Sequence, residues 1–349
     1  MKPTVPSVPL PVWSDLYTAA QNFSTLRPWE VLDDVDLIAV CDPATGATVY
    51  GIVMGSGGTL FGCCFYRGAE GFNIYRGLLE GPSAHGADDE FALQNCLLLE
   101  FGARSDLQSG DLAVIRQLGL SFKGKNAWPG FRSLLPGYAP WFLNEAEATL
   151  LTLGLRAICA HCESVIRGEL DESLRKGECL SYTSTGHPRT EFKVQWEPWP
   201  PPAKQNPVQP ILNLTRINAL LGAKTTGAGA WEAEVFYLPS PIMEGDRPYY
   251  TRMGVVCQQS SGVVLTAEVS TPDLSGSQVL VDAICSSIEM TKLRPDTIIV
   301  KDATDVVALG PLGKTLGFAV RQQKKLTAIR MFRKDIMKRF GFGGGGKKR

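Results

Sequence analysis

Apolar residues recur at helical spacing near the amino terminus, where Trp13, Leu16, Tyr17 and Ala20 predict a helix over residues 12–25. The pattern then changes period. "DLIAVCDPATGATVYGIVMGSGGTLFGCCFYRG" reads as three strands, with "DPATG" turning the first pair and "GSGG" separating the second from the third. "AEGFNIYRGLLEG" follows as a helix lying on that meander. Residues 91–101 are apolar enough for a strand or a helix, and 109–117 fit a short helix. Asn144 opens a long helix to about Gly168, because Glu147 stands three residues on and completes a capping box. "GECLSYTSTGHPRTEFKVQWE" reads as a hairpin turning at "STGHP".

The pattern then stops. "EPWPPPAKQNPVQP" holds six prolines in fourteen residues, and proline cannot donate to a ladder. The domain junction is therefore expected near residues 198–210. Beyond it come a short helical piece, "ILNLTRINALLGAK", and strand patterns at Trp231–Leu238, Arg252–Gln258 and Val263–Val269. A helix at 276–292, the strand "DTIIVKD", a helix to Leu316 and the strand "GFAVR" follow. The expected fold class is α+β. An N-terminal antiparallel meander with helices fills residues 1–197, and the linker takes 198–210. A C-terminal mixed-sheet, RNase H-like α/β domain fills 211–325, and 326–349 forms a basic flexible tail.

Length and composition agree with two cores. The chain has 349 residues, 44% hydrophobic and 20% charged, which is ordinary for a globular protein too long for one core. Net charge is zero but unevenly spread. Residues 319–349 carry eleven Lys and Arg against the acid Asp335, whereas the rest carries 34 acids and 24 bases. Nine cysteines in a long chain, several inside apolar runs, read as reduced buried thiols of a cytoplasmic protein. The amino terminus lacks a signal-like apolar stretch. The most apolar segment, "ATLLTLGLRAICAH", is interrupted by Arg156, so no membrane span is expected.

Few motifs carry chemistry. "GSGG" is followed by β-prone residues, not by a helix and a Lys-Ser/Thr pair, and reads as a hairpin turn. "CAHC", Cys159–Cys162, has redox spacing but lies deep inside the predicted helix. A reactive pair needs the helix amino terminus. His85, His161 and His187 fit neither a metal nor a nucleophile motif. In the second domain Glu234 on "WEAEVFYL" and Asp302 after "IIVKD" stand where an RNase H-like site would place metal-binding carboxylates, and they are the catalytic candidates. No third acid has a clear position, and Asp302 also suits the cap of the following helix. Neither a metal site nor a cofactor is expected.

Binding candidates lie in two segments. "KGKNAWPGFRSLLPGYAPWFL" offers Lys123, Lys125, Trp128, Arg132, Tyr138 and Trp141 without a single acid. Such a mix suits stacking on single-stranded bases, or a proline-fixed lid that tucks its rings over a sheet and leaves a basic rim. The tail offers Arg333, Lys334, Lys338 and Arg339 to nucleic acid or an acidic protein surface.

The stretches "PWEVLDDVDLIAV", "YGIVMGSGGTLFG", "LGLSFKGKNAWPGFRSLLPGYAPWFLNEAEA" and "VFYLPSPIMEGDRPYYTRMGVV" resemble an uncharacterised bacterial family that joins two domains of unknown function. Some members carry a C-terminal SEC-C zinc motif. The resemblance spans most of residues 10–320 and implies a bacterial, cytoplasmic, two-domain protein without an assigned activity. The ending "GFGGGGKKR" keeps the glycines and lysines of that motif but has no cysteine, so the zinc function is not carried over. The leading expectation is a non-catalytic binding or adaptor protein. The alternative is an RNase H-like metal-dependent nuclease, active or degenerate, acting on nucleic acid.

Overall fold

The computed structural model describes residues 5–80, 89–170, 177–186, 190–202 and 208–340. The chain divides into two compact units. One gathers Met1–Pro136, Pro140–Ala203 and Gly245–Arg247, the other Gly137–Ala139, Lys204–Glu244 and Pro248–Arg349.

The first unit contains α1 (Leu10–Leu26), β1 (Ile38–Asp42), β2 (Ala47–Met54), β3 (Phe61–Arg67), α2 (Gly68–Glu80), α3 (Glu90–Leu93), β4 (Cys96–Gly102), α4 (Ser109–Gln117), β5 (Trp128–Leu134), α5 (Glu145–Ile166), β6 (Glu178–Thr185) and β7 (Glu191–Pro198). Its sheet runs β5-β4-β3-β2-β1-β6-β7. Adjacent strands are antiparallel except β1 and β6, which pair in parallel with Val40 opposite Tyr182. The expected antiparallel meander is formed by β1 to β5, and the parallel β1–β6 pair makes the sheet as a whole mixed. A parallel neighbour needs a crossover, and α5 carries the chain back from the β5 edge. Residues 91–101 resolve into the short α3 and the strand β4.

Helices α1 and α5 cover one face of this sheet around Leu16, Phe23, Val40, Phe65 and Leu155, while α2 covers the other with Phe72 and Tyr75. The Phe65 ring sits between β2 and α5 because both offer glycine there. A Cβ on Gly51 or Gly154 would fall 2.5 or 2.6 Å from the ring. Helix α5 is the one helix among the described residues long and apolar enough to cross a membrane, by length and composition alone. Half of the window that qualifies is buried inside the fold.

The capping box forms as its spacing predicts. Glu147 N–H donates to Asn144 Oδ1 at 2.9 Å, and Asn144 N–H to Glu147 Oε2 at 3.0 Å. Deeper in α5, His161 is buried and shares a 2.8 Å hydrogen bond between Nδ1 and the Tyr182 hydroxyl. Burial lowers its pKa from 6.5 to about 4. The folded state therefore favours neutral imidazole, and stability present above pH 6.5 is lost as pH falls toward 4. The loss amounts to about 3 kcal/mol. Urea unfolding at pH 7 and pH 5 should show about 2 kcal/mol of it, since the rest is lost only as pH falls through 4, and His161→Gln should flatten the difference.

The second unit contains α6 (Leu214–Gly222), β8 (Thr226–Gly227), β9 (Ala230–Ile242), β10 (Tyr249–Gln258), β11 (Val264–Ser270), α7 (Gly276–Thr291), β12 (Leu293–Arg294), β13 (Thr297–Val300), α8 (Ala303–Leu316), β14 (Ala319–Gln322) and α9 (Thr327–Arg339). The main sheet runs β11-β10-β9-β13-β14. Strands β9, β10 and β11 are antiparallel, and β13 is parallel to both β9 and β14. Strands β8 and β12, too short to leave a sequence pattern, pair separately in parallel. Helices α6, α7 and α8 pack on one face over Trp231, Ala233, Ile284 and Leu309.

Helix α9 packs on the other face. Its Ile329, Phe332, Ile336 and Met337 meet Phe236, Val255 and Cys257 of the sheet. The spacing of these four residues is helical. The stretch Thr327–Arg339 is therefore a layer of the second unit, and not flexible chain. Residues 341–349, which hold the "GGGG" sequence, lie outside the described residues.

Candidate functional site

Strand β9 alternates. Trp231, Ala233 and Val235 join the core beneath α7 and α8, which sends Glu232 and Glu234 to the α9 face. Glu232 is fully buried at 0% exposure. Its carboxylate accepts hydrogen bonds from the backbone N–H groups of Thr327 (3.1 Å), Ala328 (2.8 Å) and Ile329 (3.1 Å). These are the groups that the first turn of a helix cannot satisfy internally. A carboxylate placed there gains from charge-assisted hydrogen bonds and from the positive end of the helix dipole. Glu232 thereby clamps α9 to the central strand. Burial, with Glu232 as a second cause, pushes the neighbouring Cys257 thiol up to about 12.

Glu234 is tied to the same helix. Arg333 Nη1 stands 3.4 Å from Glu234 Oε1, and both side chains are largely buried. The Arg333 guanidinium also lies 4.8 Å from the centre of the Phe236 ring. Asp302 follows β13 and occupies the N-cap position of α8, but its side chain makes no capping bond to that helix. Its anticipated role as a side-chain cap is corrected accordingly. Among the described residues, no group of three or more His, Cys, Asp or Glu side chains is placed to hold a metal ion.

The basic aromatic segment is a strand where the sequence suggests a loop. β5 spans Trp128–Leu134 at the sheet edge, and Ser133 pairs with Trp141 as an isolated bridge. Pro129 is tolerated because an edge strand has one side without ladder partners. Trp128 packs edge-on against Phe122, with the Arg104 guanidinium 5.9 Å from its ring centre. Arg132 is held by Asp111 through two bonds, 2.9 and 2.7 Å, and lies over Phe142. Trp141 is buried. Tyr138 belongs to the second unit, where its hydroxyl donates to Asp273 at 2.8 Å. Lys123 and Lys125 are exposed. Of the tail candidates, Arg333 faces inward, while Lys334, Lys338 and Arg339 face solvent.

A second polar cluster escaped the sequence reading. Ser133, fully buried, donates its hydroxyl to Glu147 Oε1 at 2.6 Å and accepts from Arg67 Nη2 at 2.7 Å. Arg67 also reaches Glu147 at 2.7 Å and the Leu134 carbonyl at 2.6 Å. Arg247 donates to the Ser133 hydroxyl at 3.2 Å and to its carbonyl. A serine beside a carboxylate invites a nucleophile reading. Here both carboxylate oxygens are engaged, by Arg67 and Ser133 on one side and the cap of α5 on the other, and Ser133 has no solvent access. The cluster joins β3, β5 and α5.

The "CAHC" thiols behave as buried groups. Burial pushes Cys159 up to about 12 and Cys162 up to about 11, so neither is a thiolate at neutral pH.

Family comparison matches residues 13–181 to a domain of unknown function, DUF7309, and residues 216–337 to another, DUF6930. Together the two matches cover most of the chain, and the pair of domains matches an uncharacterised two-domain family. The comparison with curated proteins found no match. The DUF6930 match runs through residue 337 and so takes in most of α9 together with the sheet that holds it. The DUF7309 match opens in α1 and closes in β6, and thus includes the Ser133–Glu147–Arg67 cluster.

Proposed function

We propose that the chain is a non-catalytic binding or adaptor protein whose contact surface is the solvent face of α9. One observation carries this reading: Glu232 and Glu234, the acids of the central strand, are engaged by the backbone and side chain of α9. A carboxylate that neutralises a helix terminus or an arginine is not available to balance a divalent cation. The basic aromatic segment contributes less than its composition suggests, because Arg132 is bound to Asp111 and Trp141 is buried. Lys123 and Lys125 remain as a minor basic rim.

The strand order of the second sheet, with three antiparallel strands followed by two parallel ones, supports an RNase H-like assignment. That topology favours the alternative of a metal-dependent nuclease using Glu234 and Asp302. Under the binding reading, Mg²⁺ and Mn²⁺ leave the thermal unfolding midpoint unchanged, and Asp302→Asn leaves nucleic-acid handling as it was. A metal-dependent rise in the midpoint, abolished by Asp302→Asn, would overturn it. Reduced thiols throughout the described residues fit a bacterial cytoplasm.

A further inference from the structure

The outward side of α9 is charged in an ordered way. With Ile329, Phe332, Arg333, Ile336 and Met337 turned toward the sheet, Arg330, Lys334 and Lys338 fall four residues apart along one exposed line. Successive bases at this spacing stand about 6 Å apart, one helical turn each. None of the three meets a carboxylate among the described residues. Exposed Lys324 and Lys325 lie just before the helix, and Phe340, 39% exposed, lies just after it.

The stripe is also held still. A free basic helix would lose conformational entropy on binding a polyanion. Here the Glu232 clamp and the apolar inner face have already fixed the backbone. We propose that the stripe Arg330, Lys334 and Lys338 binds the phosphate backbone of nucleic acid, with Lys324 and Lys325 extending the track. This rests on the binding-protein reading and names its partner. Two features favour a nucleic acid over an acidic protein. The bases repeat at a regular interval, as the phosphates of a strand do, whereas carboxylates on a folded surface have no fixed period. An exposed aromatic ring adjoins the charges, which suits stacking on a base.

The test is fluorescence anisotropy of the full chain with labelled single-stranded RNA, single-stranded DNA and duplex DNA. Three phosphate contacts give a slope of log K against log salt of about −2 to −3, hence a ~20- to 40-fold loss of affinity between about 50 and 200 mM salt. The triple variant Arg330→Ala/Lys334→Ala/Lys338→Ala should lose most of that slope. A charge-matched control at exposed sites elsewhere, Arg116→Ala/Lys224→Ala/Lys314→Ala, should keep it. All six positions face solvent, so unchanged thermal midpoints verify that both variants fold. Comparison of the RNA, DNA and duplex arms tells which source of phosphate is preferred, and Phe340→Ala weakens only a single-stranded arm. If no nucleic acid binds but polyglutamate does, in a manner the triple variant abolishes, the nucleic-acid proposal falls and the binding reading stands. If neither polyanion senses the triple variant, both fall.

Discussion

Glu232→Ala lowers the stability of the second unit by about 3–5 kcal/mol. The substitution leaves three backbone N–H groups without their acceptor, those of Ala328 and Ile329 in a buried site, and bonds from such groups to a charged partner are worth about 1.5–3 kcal/mol each before non-additivity. It also removes the only carboxylate seen on the amino terminus of α9 among the described residues. The loss should appear in urea unfolding followed by near-ultraviolet signal. Limited proteolysis should cut first around residues 324–340, because the released helix exposes Ile329, Phe332, Ile336 and Met337. Glu232→Gln keeps one acceptor but turns an amide N–H₂ toward donors, and should fall between wild type and Ala. A Glu232→Ala change worth less than about 1 kcal/mol would mean that the apolar face alone docks α9.

Glu147→Ala is the second large effect, at about 3–5 kcal/mol on the first unit. It removes half of the capping box, with about 1 kcal/mol attached to a lost cap. It also leaves the Arg67 guanidinium without its carboxylate in a largely buried site, which is the costlier part. Burial already lowers the Arg67 pKa, opposed chiefly by Glu147. Asn144→Ala, which removes only the cap acceptor, separates the two contributions and should cost no more than about 1–2 kcal/mol. Equal losses in the two variants would show that the ion pair is energetically silent.

The two clusters show what local sequence can reveal. The Asn144–Glu147 box was readable because both partners lie within one helical turn. Its extension to Arg67 and Ser133 was not, since those residues come from β3 and β5, brought beside α5 only by the sheet. The parallel pairing of β1 with β6 joins residues about 140 positions apart and leaves no local mark. β5 was obscured by Pro129 and Gly130, which break a strand pattern unless the strand lies at an edge. In "WEAEVFYL" the alternation places Glu232 and Glu234 on one face, so the period was legible, but the partner that makes Glu232 tolerable lies 95 residues downstream. The inward stripe of α9 was present at helical spacing in "LTAIRMFRKDIMKR". Its lysines and arginines dominate the composition and mask that apolar stripe.

Amide hydrogen exchange at Thr327, Ala328 and Ile329 tests most directly whether the central acids serve α9. These three N–H groups should exchange only when the second unit unfolds globally, and Glu232→Ala should bring them close to intrinsic rates. Rapid exchange of all three in the wild-type chain would contradict the clamp and return Glu232 and Glu234 to the pool of carboxylates able to bind a cation.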